Sequence, residues 1–346
     1  MSEPQATVVN GASLRRRLLA WYRRNRRDLP WRGRDAWGVW VSEVMLQQTR
    51  AAFVERYYEP FLRRFPTPRA LAEAPMDEAM VHWEGLGYYR RLDRLKESAS
   101  RVAREGIPTR YDELRRLPGL GEYTAAAVAS IAFGERVAAV DGNVARVVAR
   151  VACLEVGGAA LAGHARDLSH AWMGKSAEPG EWNQAMMELG ATVCHPRSPK
   201  CTECPIESLC IARSLGRQAD LPPRRQKRMV EKMHAVVCMV AEGRVGVRRI
   251  AEGRWWRGMY EFPRIEVPLG KDPLHALRSE GWTNLRAFCE VRHVVTDHRI
   301  TLKAFITDSL RTDKNLVLAT FEELRRLPMP AAQRRVARTL LGACSG

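Results

Sequence analysis

Apolar residues recur at helical spacing through most of the first 210 positions, and short alternating runs replace them after residue 234. Val144, Val147, Val148 and Val151 fall at i, i+3, i+4 and i+7, a spacing that predicts an amphipathic helix. The one strand-like run before residue 234 is the short segment that ends at Asp141. The pattern therefore predicts an all-helical first part and an α+β second part.

Four stretches of the second part alternate between apolar and polar residues, as half-buried strands do. They are residues 235–240, 245–248, 288–295 and 300–306. Helical patterns lie near 272–280 and 331–342. A basic, proline-containing stretch with few apolar residues separates the two parts and predicts a linker. We therefore predict a helical domain over 1–216, a linker over 217–233 and a smaller α+β domain over 234–346.

The charge of the chain indicates a class of partner, whereas the 46% of apolar residues shows only that ordinary cores can form. The 56 Lys and Arg outnumber the 39 Asp and Glu, and the net charge of +17 is spread along the chain. Such a protein typically binds polyanions, nucleic acid first among them, although an arginine-rich proteome would give the same excess. Neither a signal-peptide core nor an 18-residue apolar run is present, so we expect a cytoplasmic protein.

The stretch from Leu117 to Arg150 carries the strongest candidate for ligand chemistry. Gly119 and Gly121 form a predicted tight turn that leads into a small-residue helix, 125–132. A glycine turn at a helix N-terminus is suited to binding a phosphate. Asp141 precedes the next helix, where it is either an N-cap worth about 1 kcal/mol or a carboxylate directed at bound nucleic acid.

Glu43 and Tyr88 are further candidates, each with an ordinary structural alternative. Read as a helix, the sequence around Glu43 surrounds it with apolar side chains, and desolvation favours the neutral, proton-donating form of a carboxyl group. The alternative is an exposed helical glutamate. Tyr88 follows a Gly-Leu-Gly turn, where its ring either inserts into a base stack or packs in the core.

Four cysteines, Cys194, Cys201, Cys204 and Cys210, have the spacing C-x6-C-x2-C-x5-C. Four thiolates this close in sequence can hold a tetrahedral zinc ion or a [4Fe–4S] cluster. Zinc sites usually pair two Cys-x-x-Cys units, and one is present here. The spacing therefore favours iron–sulfur and leaves zinc as the alternative.

Several motifs occur in order between residues 20 and 212 and together carry a family resemblance. They are WVSEVMLQQT from Trp40, GLGYY from Gly85, LPGLG from Leu117, VDGNV from Val140, NQAMMELGA from Asn183, and the four-cysteine spacing. The chain resembles the MutY family of adenine DNA glycosylases. The resemblance implies a two-lobed helix-hairpin-helix fold, a [4Fe–4S] cluster on the four cysteines, and removal of adenine mispaired with 8-oxoguanine or guanine in duplex DNA.

Roles for individual residues follow from the same resemblance. It implies catalytic roles for Glu43, Asp141, Tyr123 and Asn143. It implies an adenine pocket formed by Arg27, Leu29, Trp31, Leu46 and Glu188. It implies DNA contacts from Gln48, Tyr88, Gly119, Gly121, Thr296 and His298. We further expect a monomer associated with the nucleoid.

Position 123 separates two classes of related enzymes. Endonuclease III-type lyases carry at this place a lysine that forms a Schiff base with the abasic sugar. This chain has Tyr123 and no lysine between Lys96 and Lys175. The resemblance therefore implies a monofunctional glycosylase that leaves the strand intact.

The second domain resembles the family's Nudix-like 8-oxoguanine-recognition module through Trp255–Pro263 and the Arg292-His293 strand. The acidic pyrophosphohydrolase signature is absent from 258–283, which implies binding without hydrolysis. Where the family has Phe-Ser-His or Phe-Thr-His, this chain has Val295-Thr296-Asp297, followed by His298. Two alternatives stay open on sequence: a glycosylase of the same fold with another opposite or target base, and a non-catalytic binder of DNA lesions.

Overall fold

A computed structural model of the chain describes residues 9–175, 178–223, 229–251, 256–309, 311 and 316–343. The described residues fall into two compact units. The helical unit comprises Met1–Glu73 and Asp93–Arg225, and the sheet unit comprises Ala74–Leu92 and Gln226–Gly346. The segment Ala74–Leu92, which lies inside the predicted helical domain, thus groups with the sheet unit.

Fifteen α-helices and seven β-strands occur in the described residues. The helices are α1 (Gly11–Asn25), α2 (Ala36–Leu46), α3 (Ala51–Arg64), α4 (Pro68–Glu73), α5 (Met76–Trp83), α6 (Arg90–Glu105), α7 (Tyr111–Leu114), α8 (Glu122–Phe133), α9 (Gly142–Val151), α10 (Gly158–Met173), α11 (Pro179–Thr192), α12 (Ile211–Ser214), α13 (Pro273–Ser279), α14 (Phe321–Arg326) and α15 (Ala331–Ala343). The strands are β1 (Val230–Ala241), β2 (Arg244–Arg249), β3 (Tyr260–Glu261), β4 (Arg264–Val267), β5 (Arg286–Val295), β6 (His298–Thr307) and β7 (Leu316–Thr320). None of the described helices is long and apolar enough to cross a membrane.

Helices α1, α9 and α11 supply much of one core of the helical unit. The four valines of α9 at helical spacing are buried in this core, as predicted. Helix α11 packs closely against the first turn of α9, because a Cβ added at Gly190 would lie 2.6 Å from the Cβ of Asn143. A glycine at this place therefore fixes how near α11 comes to Asp141 and Asn143.

One local prediction for the helical unit is wrong. The run 137–140 forms no strand. Its backbone is satisfied by a side chain instead: the Asn183 amide accepts from the Ala139 N–H at 3.0 Å and donates to the Val137 carbonyl at 2.8 Å.

The sheet unit is built on a mixed seven-stranded sheet with strand order β3-β2-β1-β6-β5, in which β4 also pairs with β1 and β7 with β2. Strands β1 and β6 are parallel, from Val230 opposite His298 to Met239 opposite Thr307. Strands β5 and β6 form an antiparallel hairpin whose turn is Thr296-Asp297. All four predicted strands are confirmed, and β1 begins inside the predicted linker, of which residues 224–228 lie outside the described residues.

The segment Ala74–Leu92 is held within the sheet unit by a charged pair. Arg334 on α15, a residue only 7% exposed, donates from Nε to Glu84 Oε1 at 2.5 Å and from Nη2 to Glu84 Oε2 at 3.1 Å. Arg249 on β2 makes a longer contact, 3.5 Å, to Asp77 on α5. Of the Trp255–Pro263 motif, Trp255 lies outside the described residues, and Tyr260 and Glu261 form β3.

Candidate active site

Glu43 lies on α2 and is 4% exposed, so the prediction of a desolvated carboxyl group is confirmed. The Tyr123 hydroxyl, from the first turn of α8, donates to Glu43 Oε2 at 2.6 Å. The pKa of Glu43 is raised to about 7: burial is the main cause and the Asp141 charge adds to it, whereas the Tyr123 hydrogen bond and Arg32 lower the pKa. At neutral pH a substantial share of Glu43 is therefore protonated and able to donate.

Asp141 is the N-cap of α9, and its Oδ1 accepts from the Val144 N–H at 2.7 Å. The Asn143 side chain donates to Asp141 Oδ2 at 2.8 Å. Burial raises the pKa of Asp141, and these donors lower it. Both carboxylate oxygens are thus held by short hydrogen bonds, which fixes the orientation of the group. The N-cap and a directed carboxylate, posed as alternatives on sequence, are compatible at this residue.

Arg146, one helical turn after Asn143, was missed by sequence analysis. Its Nη2 donates to Asn143 Oδ1 and to the Gly190 carbonyl, both at 2.8 Å, and its Nε donates to the Cys194 carbonyl at 2.8 Å. Since i and i+3 lie on one helix face, a cation at this spacing was the available signal. Arg146 therefore orients the amide that orients Asp141.

Glu188 on α11 is 2% exposed and is neutralised by two arginines. Arg27 donates to Glu188 Oε1 through its backbone N–H at 3.1 Å and its Nε at 2.7 Å, and Arg32 Nη2 donates to Oε2 at 2.7 Å. Arg32, missed by sequence analysis although it directly follows Trp31, also donates to Gln184 at 2.7 Å and to Tyr22. The structure thus brings Arg27 and Glu188 together, as expected of one pocket.

Of the three apolar residues of the predicted adenine pocket, two lie in one loop and the third lies at the end of α2. Leu29 and Trp31 are buried, at 7% and 8% exposure, in the loop after α1. The Trp31 ring meets that of Tyr58 edge-on, with centroids 5.5 Å apart. Leu46, half-buried, ends α2, and the next side chain, Gln47, donates to Thr124 at 3.0 Å.

Three of the predicted DNA-contacting residues have strained backbones. Gln48, Tyr88 and Thr296 have φ angles of 58°, 48° and 55°, in the left-handed region that non-glycine residues rarely adopt. Such strain persists only where the surroundings impose it, and it concentrates at functional sites. Of the two tyrosines in the motif, Tyr89 is 5% exposed and packs in the core, whereas Tyr88 is 42% exposed, so the core-packed alternative is wrong for Tyr88 alone. The Arg91 guanidinium lies 5.3 Å from the Tyr88 ring centroid.

The predicted phosphate-binding turn has the expected backbone. Gly119 has φ of 83°, and a Cβ there would lie 2.8 Å from the Arg94 Cβ. Gly121 is the N-cap of α8, with no side-chain hydrogen bond to the first turn. The amides at the start of α8 thus lack a capping side chain, which suits an approaching phosphate.

All four predicted cysteine ligands line one small cavity of the helical unit. Burial raises the pKa of Cys204 to about 12 and that of Cys210 to about 11, and the neighbouring thiols add to both shifts. Arg150 Nη1 donates to Cys194 Sγ at 3.2 Å, and the Cys210 thiol lies 3.4 Å from the Arg150 carbonyl. Four thiols that line one cavity, with a buried arginine beside one sulfur, are an all-sulfur donor set of the kind that holds an anionic iron–sulfur cluster.

The last two predicted DNA contacts, Thr296 and His298, lie in the β5–β6 hairpin of the sheet unit. Thr296 Oγ1 donates to Asp297 Oδ1 at 2.9 Å, and His298 Nδ1 lies 2.8 Å from the same oxygen. The Thr296 hydrogen bond, more than the His298 charge, lowers the pKa of Asp297. Thr296, Asp297 and His298 thus form one local cluster, in which Thr296 and Asp297 are exposed and His298 is half-buried, and we call it the hairpin cluster.

Three family models match the chain. Residues 41–156 match the HhH-GPD superfamily base excision DNA repair protein, residues 194–210 the iron–sulfur binding domain of endonuclease III, and residues 234–339 the NUDIX domain. These matches show that the chain binds DNA, that it carries a [4Fe–4S] cluster, and that its second unit is Nudix-like.

Similar proteins include the adenine DNA glycosylase of Rattus norvegicus, 34% identical over 98% of this chain and 81% of that protein. The human adenine DNA glycosylase is 45% identical over 62% of this chain and 42% of its own length. Among solved structures, a thermostable thymine-DNA glycosylase matches with a TM-score of 0.54 and 28% identity, over 61% of this chain and all of that one. An endonuclease III–DNA complex, at 21% identity and a TM-score of 0.51, shows the shared fold. The chain belongs to the adenine DNA glycosylase family of base-excision repair enzymes.

Proposed function

We propose that this enzyme removes adenine mispaired with 8-oxoguanine or guanine in duplex DNA, acting as a monomer on nucleoid DNA. The observation that carries the proposal is the Glu43–Tyr123 pair, because it places a carboxyl group of pKa about 7 in a buried site. A stacked base hides both its own ring nitrogens and the sugar carbon, so the adenine must be flipped out to reach Glu43.

Glu43 then protonates the flipped adenine, which turns the base into a neutral leaving group. Departure of the base leaves positive charge on the sugar. Asp141 stabilises that charge through its carboxylate, held by Val144 and Asn143, as one of the paired carboxylates of a retaining glycosidase does. Glu43, now ionised, takes a proton from the incoming water as the water oxygen bonds to the sugar carbon, and the abasic sugar stays in the intact strand.

The pocket that receives adenine is proposed to consist of Arg27, Leu29, Trp31, Leu46 and Glu188. Glu188 is a buried acceptor whose charge is balanced by Arg27 and Arg32. A balanced carboxylate accepts hydrogen bonds from an exocyclic amine without imposing a net negative charge on the pocket. Gln48 and Tyr88 are proposed to contact the opposing strand, and Gly119 and Gly121 to bind a phosphate.

Cys194, Cys201, Cys204 and Cys210 are the proposed cluster ligands. When bound, the cluster crosslinks the loop 194–210. Arg150 supports that loop directly, since it donates to the His195 carbonyl at 2.7 Å as well as to Cys194 Sγ. Metal analysis should find about four irons per chain, whereas one zinc and no iron would contradict the assignment.

Single-turnover assays test the activity on duplexes that hold adenine opposite 8-oxoguanine, guanine or thymine. We expect adenine release from the first two and none from the third. Because position 123 carries tyrosine where a lyase has lysine, the strand should stay whole until alkali is added. No release from either mispair would overturn the proposal, and borohydride trapping of the enzyme on DNA would overturn its monofunctional part.

A further inference from the structure

The turn 84–88 of the sheet unit, which carries the proposed DNA contact Tyr88, has an unusual backbone. Gly85 and Gly87 have φ of 101° and 71°, and Tyr88 follows with φ of 48°. Glycine adopts such conformations without steric cost but leaves them as readily, so the local sequence does not select one arrangement of the turn. The position of the Tyr88 ring therefore depends on the contacts that hold the turn.

Contacts inside the segment fix the shape of this turn. Arg91 Nη2 donates to the Leu86 and Gly87 carbonyls at 3.1 and 3.2 Å. Trp83 Nε1 donates to the Gly87 carbonyl at 3.2 Å. Because these partners are close to one another in sequence, they shape the turn but do not place it on the sheet unit.

Glu84, which precedes Gly85, connects the turn to the rest of the sheet unit. Both of its carboxylate oxygens accept from Arg334 on α15, at 2.5 and 3.1 Å. The same guanidinium donates to the Leu324 carbonyl at 2.7 Å and to the Leu327 carbonyl, at the end of α14. A two-point arginine–carboxylate pair fixes direction as well as distance. One buried, planar cation thus orients the residue from which the turn begins.

The other contacts of α5 are of a different kind. Asp77, in its first turn, lies 3.5 Å from Arg249, and both side chains are more than half exposed, so this pair contributes little. Apolar packing also holds α5, since a Cβ added at Gly258 would lie 3.5 Å from Met80 Cε. Loss of the Glu84 pair should therefore leave α5 docked and release the turn that follows it.

We propose that Arg334 is a positioning residue for recognition of the mispair: through Glu84 it holds the turn that presents Tyr88 to the strand opposite the adenine. The inference rests on the proposed contact between Tyr88 and that strand. Insertion of a side chain into a base stack works against the stacking of the bases, so an anchored turn can maintain it and a loose turn yields. Arg334, itself too buried to contact DNA, thus contributes to the reading of the opposing strand.

Binding of mispaired and fully matched duplexes by the full-length, cluster-containing protein tests the proposal. The adenine carries a 2′-fluoro sugar, which resists excision, and the first readout is the ratio of the two affinities. The second is the fluorescence of 2-aminopurine in the opposing strand beside the mispaired guanine, which rises when that base loses its stacking. The variants are Tyr88→Ala, Glu84→Ala, Glu84→Gln, Arg334→Lys and the double variant of Tyr88→Ala with Glu84→Ala. Asp77→Ala is the matched control, because it removes the exposed ion pair of the same segment.

We expect Tyr88→Ala to lower the affinity ratio roughly five- to 150-fold, because it removes one contact between an aromatic ring and a base. Glu84→Ala should lower the ratio about tenfold, and Glu84→Gln, which keeps one acceptor for Arg334, should lower it less. The 2-aminopurine signal should fall in the same order, and Asp77→Ala should match wild type. In the Tyr88→Ala background, Glu84→Ala should have no further effect, because both act through one ring.

Near-ultraviolet circular dichroism and thermal unfolding show which variants are folded, and the milder Glu84→Gln and Arg334→Lys decide the question if Glu84→Ala is not. A wild-type ratio in folded variants of Glu84 and Arg334, or a full additional loss in the double variant, would overturn the inference alone. A wild-type ratio in Tyr88→Ala would overturn the proposed DNA contact as well. Because no arm depends on adenine release, a failure of the proposed activity is seen separately, in the single-turnover assay.

Discussion

The active site of the helical unit and the hairpin cluster of the sheet unit use the same kinds of side chain in opposite settings. Glu43 is 4% exposed and bonded to Tyr123, a residue 80 positions away in sequence. The Asp297 side chain is 54% exposed and contacts only its neighbours Thr296 and His298 among the pairs the structure resolves. Burial and a partner distant in sequence fix the position of the Glu43 carboxylate, whereas the position of the Asp297 carboxylate depends on a two-residue turn. Substitutions should therefore have large effects on activity in the active site and smaller effects in the hairpin cluster.

The largest expected effect is that of Glu43→Gln. The amide keeps the shape of the side chain but cannot donate an acidic proton, so adenine release should fall about 10²- to 10⁴-fold while DNA binding persists. Single-turnover release and duplex affinity measure the two quantities. Glu97→Gln, on the exposed surface of α6, is the matched control. Near-normal release by Glu43→Gln would remove this residue from the mechanism.

A second expectation concerns the pH dependence of stability, because the pKa shifts of Glu43 and Asp297 have opposite signs. The folded-state pKa of Glu43 is raised, to about 7, so wild type loses stability as pH rises from the unfolded value toward and through 7. The difference in free energy of unfolding between Glu43→Gln and wild type should therefore be more favourable to the variant at pH 8.5 than at pH 5, by about 2–3 kcal/mol.

Asp297 has a lowered pKa, so its contribution is present above the unfolded pKa and is lost as pH falls through the folded value. Asp297→Asn should therefore be neutral or slightly destabilising at both pH values. Thermal unfolding of both variants at pH 5 and 8.5 checks the contrast. A pH-independent effect of Glu43→Gln would contradict the raised pKa.

Sequence patterns correctly predict those features of the structure that are determined by residues close to one another in the sequence. The valine spacing predicts α9, and the apolar neighbours of Glu43 predict its burial, because both depend on residues close in sequence. The pairing of β1 with β6 was not predicted, since this parallel pairing joins residues 68 positions apart, such as Val230 and His298, that no turn signal links. Arg32 was missed for a similar reason, because its partner Glu188 is distant in sequence. Arg146 has one local partner, Asn143, but its other partners, Gly190 and Cys194, are also distant.

A smaller effect is expected at the hairpin cluster. Asp297 accepts hydrogen bonds and repels phosphates, so it cannot replace a histidine that donates to the altered edge of 8-oxoguanine. One such contact is worth about 1–3 kcal/mol, and we expect preference for 8-oxoguanine over guanine to be roughly five- to 150-fold weaker than a histidine at 297 would give.

Asp297→His should therefore raise the ratio of single-turnover rates on the two duplexes. His298→Ala is its counterpart, because His298 begins β6 beside Asp297. If wild type discriminates strongly and His298→Ala abolishes the discrimination, then His298 reads the lesion and the prediction for Asp297 is wrong.

The proposed mechanism depends most directly on Glu43 acting as a buried acid whose pKa is lowered by the Tyr123 hydrogen bond. The measurement is the pH dependence, from pH 5.5 to 9, of single-turnover adenine release by wild type and Tyr123→Phe at saturating enzyme. Because the protonated carboxyl group is the donor, the wild-type rate should fall as pH rises through about 7. The Tyr123 hydrogen bond lowers the pKa of Glu43, so its removal should raise that pKa and move the falling limb of the profile to higher pH. A flat profile for wild type, or a limb that Tyr123→Phe leaves in place or moves to lower pH, would contradict the account.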